Sequence, residues 1–257
     1  MKPIEIQHVR KDGAPFPTLL SAGVVTDSEG NPQLLTATIV DITNLKAMED
    51  MLREVNHCLL GFGTDPDKNI TQLIKTTSSL FRDGCILYNR EEGDFLCTVA
   101  GYNIPRGFKR KDKKLGHLCY HVIARRHDAP LVLHNLDASP FVLSDPNVTK
   151  YHLKTYLGSP VKIGDAIRGT LCIVYDHHKI INEHTLHILS ILSRALGIEE
   201  ERKEALNSLT HHQTMLQISE RNLKEFSRKM LSLIEKEKRE ISQNLHDELG
   251  SLTIALS

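Results

Sequence analysis

The residues best placed to do chemistry lie near the C-terminus, in the run Leu245-His246-Asp247-Glu248-Leu249-Gly250. Leu245 and Leu249 would share a helix face, and His246 follows one and precedes the other by three, which sets it at the margin of an apolar stripe. From there its ring can reach solvent and a docking partner. An imidazole with the ordinary pKa of ~6.5 is largely neutral at pH 7, so one ring nitrogen is available as a nucleophile. A second cluster is His117, Cys119 and His121. On a strand or extended loop these alternate residues would turn three metal-ligating groups to one face, whereas a helix would scatter them. Because the chain holds 14 histidines, such triplets arise by chance, and with no fourth ligand evident no metal is expected. Tyr102, Cys119 and Tyr156 are the candidates for lining a small-molecule pocket. Tyr120 reads as core or lining, and the basic run over 109–114 as a solvated loop. The pairs His177-His178 and His211-His212 read as surface, and no glycine-rich phosphate cradle is present.

These residues need elements to hold them. Over 4–41, β-rich runs alternate with the turn signals Lys11-Asp12-Gly13 and Asp27-Ser28-Glu29-Gly30-Asn31, predicting three antiparallel strands over 4–10, 17–25 and 33–41. Three strands alone form a thin sheet with an uncovered face. From 42 to 59, Leu45, Met48, Met51, Leu52 and Val55 recur at helical spacing, and Asp41 or Thr43 could cap that helix. A helix carrying Ile70, Leu73, Ile74, Leu80 and Phe81 should lead into strands over 84–89, 95–101 and 129–133. Two more strands, 158–163 and 169–175, flank Gly164-Asp165, and a helix over 182–199 presents a broad apolar face through Leu186, Leu189, Leu192 and Leu196.

Beyond residue 199 no proline or glycine occurs before Gly250, which predicts one long helix. Leu209, Leu216, Leu223 and Met230 recur every seven residues, with Phe226 and Leu233 at the intervening offset, as a two-stranded coiled coil requires. A second register, shifted by one, follows through Ile234, Ile241, Leu245, Leu249, Leu252 and Leu256. Such a phase break is a place where helix rotation could be stored.

Composition sets bounds on function. The chain's 257 residues exceed one ordinary domain, and 32 basic against 32 acidic residues leave no excess charge to attract nucleic acid or an anionic membrane. Five cysteines without CxxC spacing, and the lack of a secretory leader or of ~20 consecutive apolar residues, favour a reduced, cytoplasmic setting. No membrane span is expected.

Three resemblances cover most of the chain. Lys11-Asp12-Gly13, Asp27 to Gly30 and Asp41-Ile42-Thr43 resemble the last strands and closing Asp-Ile-Thr of a PAS domain, implying that 1–44 is its C-terminal half and 45–56 a connector helix. Tyr156-Leu157-Gly158-Ser159-Pro160-Val161, Gly169-Thr170-Leu171-Cys172-Ile173 and Asn182-Glu183-His184-Thr185-Leu186 resemble core strands and the last helix of a GAF domain over 57–199. Ala129-Pro130-Leu131-Val132 and Asp137-Ala138-Ser139-Pro140-Phe141 fit its strand and pocket loop. The GAF family binds cyclic nucleotides, bilins or haem, or dimerises, so the resemblance implies a sensor without naming a ligand. Aromatic density suited to a bilin is lacking around Cys119.

The stretch from Glu235 through Lys236-Glu237-Lys238-Arg239-Glu240-Ile241 to Gly250 resembles the dimerisation and phosphoacceptor helix of two-component histidine kinases with a Leu-His-Asp-Glu-Leu-Gly box. That resemblance implies His246 as phosphoacceptor, Asp247 as orienting general base, a homodimer, and a response regulator as partner. It also implies ATP and Mg used by a catalytic domain beyond 257, without which this stretch would not phosphorylate itself. The fifth residue after the histidine, usually Gln or His in that subfamily, is Ser251, which leaves the implied phosphatase route without its residue. The expected architecture is α+β: half a PAS sheet, a GAF α/β domain, a coiled-coil linker over 200–234, and the start of a phosphoacceptor domain over 235–257. The competing expectation is a non-catalytic ligand-binding and dimerisation module.

Overall fold

A computed structural model describes the backbone of residues 2–255 and the side chains of residues 2–244. The chain divides into two compact units, Met1–Arg202 and Lys203–Ser257.

The first unit opens with an antiparallel sheet of β1 (Ile4–Val9), β2 (Pro15–Thr26) and β3 (Pro32–Asp41) in that order. Glycines supply the positive φ of both turns, Gly13 at 86° and Gly30 at 87°. Every residue of β3 is exposed, so the sheet keeps an uncovered face. Asp41 then links the sheet to α1 (Thr43–Leu60): one carboxylate oxygen accepts from the Thr43 N–H at 2.9 Å and from its hydroxyl at 2.5 Å, while the other holds Arg10 at 2.7 Å. Asp41, one residue before the helix N-cap, thus supplies the cap that sequence reasoning divided between Asp41 and Thr43.

After α2 (Pro66–Leu80), with Asp65 as its N-cap, a six-stranded antiparallel sheet forms the centre of the unit. Its strands are β4 (Cys85–Glu92), β5 (Phe95–Tyr102), β6 (Lys111–Lys113), β7 (Leu131–Leu133), β8 (Thr155–Ile163) and β9 (Ala166–Tyr175), in the order β6-β5-β4-β9-β8-β7. The run over 109–114, expected as a solvated loop, contains edge strand β6, and Lys114 binds Glu91 at 2.6 Å.

Strand alternation sorts the core into two layers. Ile86, Tyr88, Leu157, Leu171 and Ile173 face α1, α2 and the first turns of α6 (Glu183–Ala255), meeting Ile70, Leu73, Ile188, Leu189 and Leu192. Cys85, Leu87, Tyr156, Cys172 and Val174 face the other way, onto α3 (Leu118–Ala124), α4 (Phe141–Ser144), α5 (Pro146–Lys150) and the loops between them. Two polar ties fasten α6 to the first layer. Asn69 donates to Glu199 at 2.8 Å, and Arg90 pairs with the fully buried Glu200 at 3.0 Å.

In the second unit α6 continues as helix, with Leu209, Leu216, Leu223, Phe226, Met230 and Leu233 all exposed. Among the described residues, no helix is long and apolar enough to cross a membrane.

Candidate functional site

The second layer encloses a cavity of about 180 Å³ between the sheet and the 105–153 segment. Alternate residues of four strands form its floor: Cys85, Leu87 and Asn89 from β4, Leu96 and Thr98 from β5, Tyr156 from β8, and Cys172 and Val174 from β9. Its roof comes from Pro105, Phe108, Lys109, the start of α3, α5, Tyr151 and Leu153. Leu, Val, Phe, Tyr, Cys and Pro residues make most of the wall, and polar groups that include Asn89, His117 and Asp145 converge on it, which is the composition of a small-molecule site.

One carboxylate organises the roof. Asp145 is the N-cap of α5 and accepts from the Asn147 N–H at 3.0 Å; it also accepts from Leu118 N–H at 2.9 Å and lies 3.1 Å from His117 Nδ1. His117 itself gives α3 no side-chain cap, so Asp145 satisfies an orphan donor in the first turn of α3 as well as one in α5. The close approach of the two segments depends on Gly116, whose φ is +92° and whose position would drive any Cβ into the Ser144 carbonyl.

The hydrogen bond to Asp145 raises the His117 pKa from 6.5 against the opposing effect of burial. Burial pushes the Asp145 carboxyl up, but the His117 bond and the Leu118 and Asn147 N–H groups together hold it below its ordinary value. Each partner therefore favours the charged form of the other. The His117 Nε2 has no protein partner among the described residues, and the buried Tyr151 hydroxyl has none either.

The floor holds a sulfur cluster. Cys119 Sγ lies 3.2 Å from Cys172 Sγ, with Asn89 Nδ2 at 3.2 Å and the Tyr156 hydroxyl at 3.6 Å. Thr98 donates to Asn89 Oδ1 at 2.6 Å and so turns the Asn89 amide group toward the sulfurs. The contact with Cys172 and the hydrogen bonds from Tyr156 and Asn89 lower the Cys119 thiol pKa against burial. The Cys119 contact and burial raise Cys172, and burial pushes Cys85 up to about 12.

Of the residues singled out from sequence, Cys119 and Tyr156 line the cavity together. Tyr102 does not: it ends β5 opposite Ile86, is 53% exposed, and lies outside the cavity. The triplet His117, Cys119 and His121 straddles the start of a helix. His117 meets Asp145, Cys119 meets Cys172, and His121 packs edge-on to Phe141 at 5.4 Å. The backbone of His246 and Asp247 is helical within α6, and their side chains lie outside the described residues. Sequence reasoning missed Asp145, Asn89 and Tyr151; Asp145-Pro146-Asn147, an N-cap before a proline at N1, was the available signal.

A protein-family profile described as the GAF domain matches residues 65–199, more than half of the chain. No curated protein matches. Solved structures similar to this chain include the GAF domain of A. aeolicus nlh2 in an inactive state, at 16% identity over 61% of this chain and 97% of that one, with a TM-score of 0.48. Free methionine-R-sulfoxide reductase from Neisseria meningitidis in complex with its substrate is 15% identical over 63% of this chain and 92% of that one, with a TM-score of 0.49. The phycoerythrobilin-bound GAF domain from a cyanobacterial phytochrome is 10% identical over 64% of this chain and 99% of that one, with a TM-score of 0.49. On the match over residues 65–199, the chain belongs to the GAF domain family.

Proposed function

We propose that this chain is the sensory and phosphoacceptor portion of a cytoplasmic two-component sensor histidine kinase, with its GAF cavity as the input and His246 as the output. The carrying observation is that the Leu245-to-Gly250 box lies on α6, the helix whose first turns pack in the GAF core through Ile188, Leu189 and Leu192. A change in the cavity that shifts the sheet would have a continuous helical path toward the histidine.

Two further features support this reading. The hairpin sheet that ends in Asp41-Ile42-Thr43, with Asp41 holding both the Thr43 N–H and hydroxyl, suits the close of a PAS domain onto a signalling helix. The exposed residues Leu209, Leu216, Leu223 and Met230, seven apart, suit a parallel coiled coil between two copies. In that assembly His246 would be the nucleophile, Asp247 its orienting base, and ATP with Mg would be held by a separate catalytic domain.

The test is phosphorylation in trans. An ATP-binding domain from a sensor kinase of the same box subfamily, supplied with Mg-ATP, should place acid-labile label on this protein, and His246→Gln should abolish it. Label that survives the substitution removes His246 from the mechanism. The second reading, a ligand-binding GAF module that only dimerises, is favoured by the cavity, whose lining residues all lie within 85–174 and owe nothing to the box. It predicts ligand binding with no phosphotransfer at all.

A further inference from the structure

Of the five cysteines, all free thiols, Cys58 is buried in the layer away from the cavity and Cys97 is partly exposed on β5. The other three, Cys85, Cys119 and Cys172, all line the cavity. Buried thiols are ordinarily inert, because burial in apolar surroundings disfavours the thiolate that reacts. Cys119 is surrounded differently. Its sulfur lies 3.2 Å from the Cys172 sulfur and accepts from the Asn89 amide at 3.2 Å and the Tyr156 hydroxyl at 3.6 Å, two donors placed to take the part of water around the sulfur when it gives up its proton. Cys85 lacks such donors: burial first, and then the Cys119 sulfur nearby, push its thiol up to about 12, so it stays protonated.

We infer that Cys119 and Cys172 form a hydroperoxide-reactive dithiol at the floor of the GAF cavity, a site of reversible oxidation. The cavity of about 180 Å³ admits hydrogen peroxide or a small alkyl hydroperoxide to the sulfur. In the first step the Cys119 sulfur attacks the peroxide's terminal oxygen and the O–O bond breaks. The departing oxygen leaves as water or alcohol, carrying the proton given up by the Cys119 thiol, and Cys119 is left as the sulfenic acid. In the second step Cys172, already beside it, attacks the sulfenic sulfur. The S–O bond breaks, the hydroxyl leaves as water with the Cys172 proton, and the S–S bond forms. Two thiols and one peroxide thus become one disulfide, one water, and one further water or alcohol, the two electrons passing from sulfur to the O–O bond. A thiol reductant reverses it. The sulfurs must close from 3.2 Å to the ~2.05 Å of a disulfide, and closure fastens α3 in the cavity roof to β9 in its floor.

This inference stands apart from the kinase reading, and its test uses the whole protein. The folded chain is treated with hydrogen peroxide at neutral pH, denatured in an alkylating agent, and mapped by peptide mass spectrometry. The expected result is a Cys119–Cys172 disulfide that dithiothreitol reverses, formed while Cys58 and Cys85 remain alkylatable. In Cys172→Ser, dimedone should trap a sulfenic acid on Cys119. In Cys119→Ser, Cys172 should stay reduced. The inference is overturned if Cys119 and Cys172 both remain alkylatable after Cys97 has been oxidised, if the disulfide that forms contains Cys85, or if dimedone marks Cys172 instead. Should either serine variant fail to fold, the wild-type map alone gives the same decision.

Discussion

His117 and Asp145, 28 residues apart in sequence, meet at 3.1 Å inside the molecule with both side chains more than nine-tenths buried. The pair ties the start of α3 to the start of α5, and it makes the stability of the cavity roof depend on pH.

The sign follows from the two shifts. His117 is raised above 6.5 in the folded protein, so its contribution is complete below about that pH and is lost as pH rises through the folded value. Asp145 is lowered below 3.8, so its contribution is complete above about that pH and is lost as pH falls through its folded value. Stability from the pair is therefore full between about 4 and 6.5 and declines on either side. Denaturant unfolding across pH should show the alkaline decline in the wild type and a shallower one in His117→Gln. Asp145→Ala should cost about 3 kcal/mol, because it leaves the buried His117 ring without its carboxylate partner and uncaps α5. Equal pH profiles for wild type and His117→Gln would refute the pairing.

Asn69 sets the second prediction. It donates to Glu199 and to the Gly63 carbonyl at 3.1 Å, and accepts from the Gly63 N–H at 3.0 Å, so one amide joins α2, the loop before it and α6. Asn69→Ala leaves the buried Glu199 carboxylate without its amide donor and should lower unfolding free energy by about 2–3 kcal/mol. A loss under about 0.5 kcal/mol would mean that water replaces the amide at no cost.

The fold was legible where local signals agreed with burial. The turns at Lys11-Asp12-Gly13 and Asp27 to Gly30 fixed the three-stranded sheet within two residues, and the spacing through Val55 found α1. The cavity roof was not legible, because α3, α4 and α5 are each under two turns long and carry too few residues for a period. The site was legible only in part. Cys119 and Tyr156 were singled out and line the cavity, yet Cys119's partner is 53 residues away on β9 and His117's is 28 away, distances that no local pattern encodes. Tyr102 misled because an aromatic at a strand end reads like lining, while its strand turns it outward to solvent.

The exposed heptad stripe gives a third prediction. If Leu216 and Leu223 sit at the seam of a two-stranded coiled coil, Leu216→Glu with Leu223→Glu places like charges across it and should shift the protein from dimer to monomer in sedimentation equilibrium. The GAF domain should melt unchanged, since both residues lie outside it. A dimer that survives both substitutions would move the interface elsewhere.

The proposed role of His246 is to accept a phosphoryl group. The most direct measurement is fragmentation mass spectrometry, at neutral to alkaline pH, of the protein phosphorylated in trans by a kinase catalytic domain of the same box subfamily. The expected result is a phosphoryl group on the peptide containing Leu245-His246-Asp247, located on His246. Phosphate found on Ser242 or Ser251 instead, or no phosphopeptide at all, would contradict it.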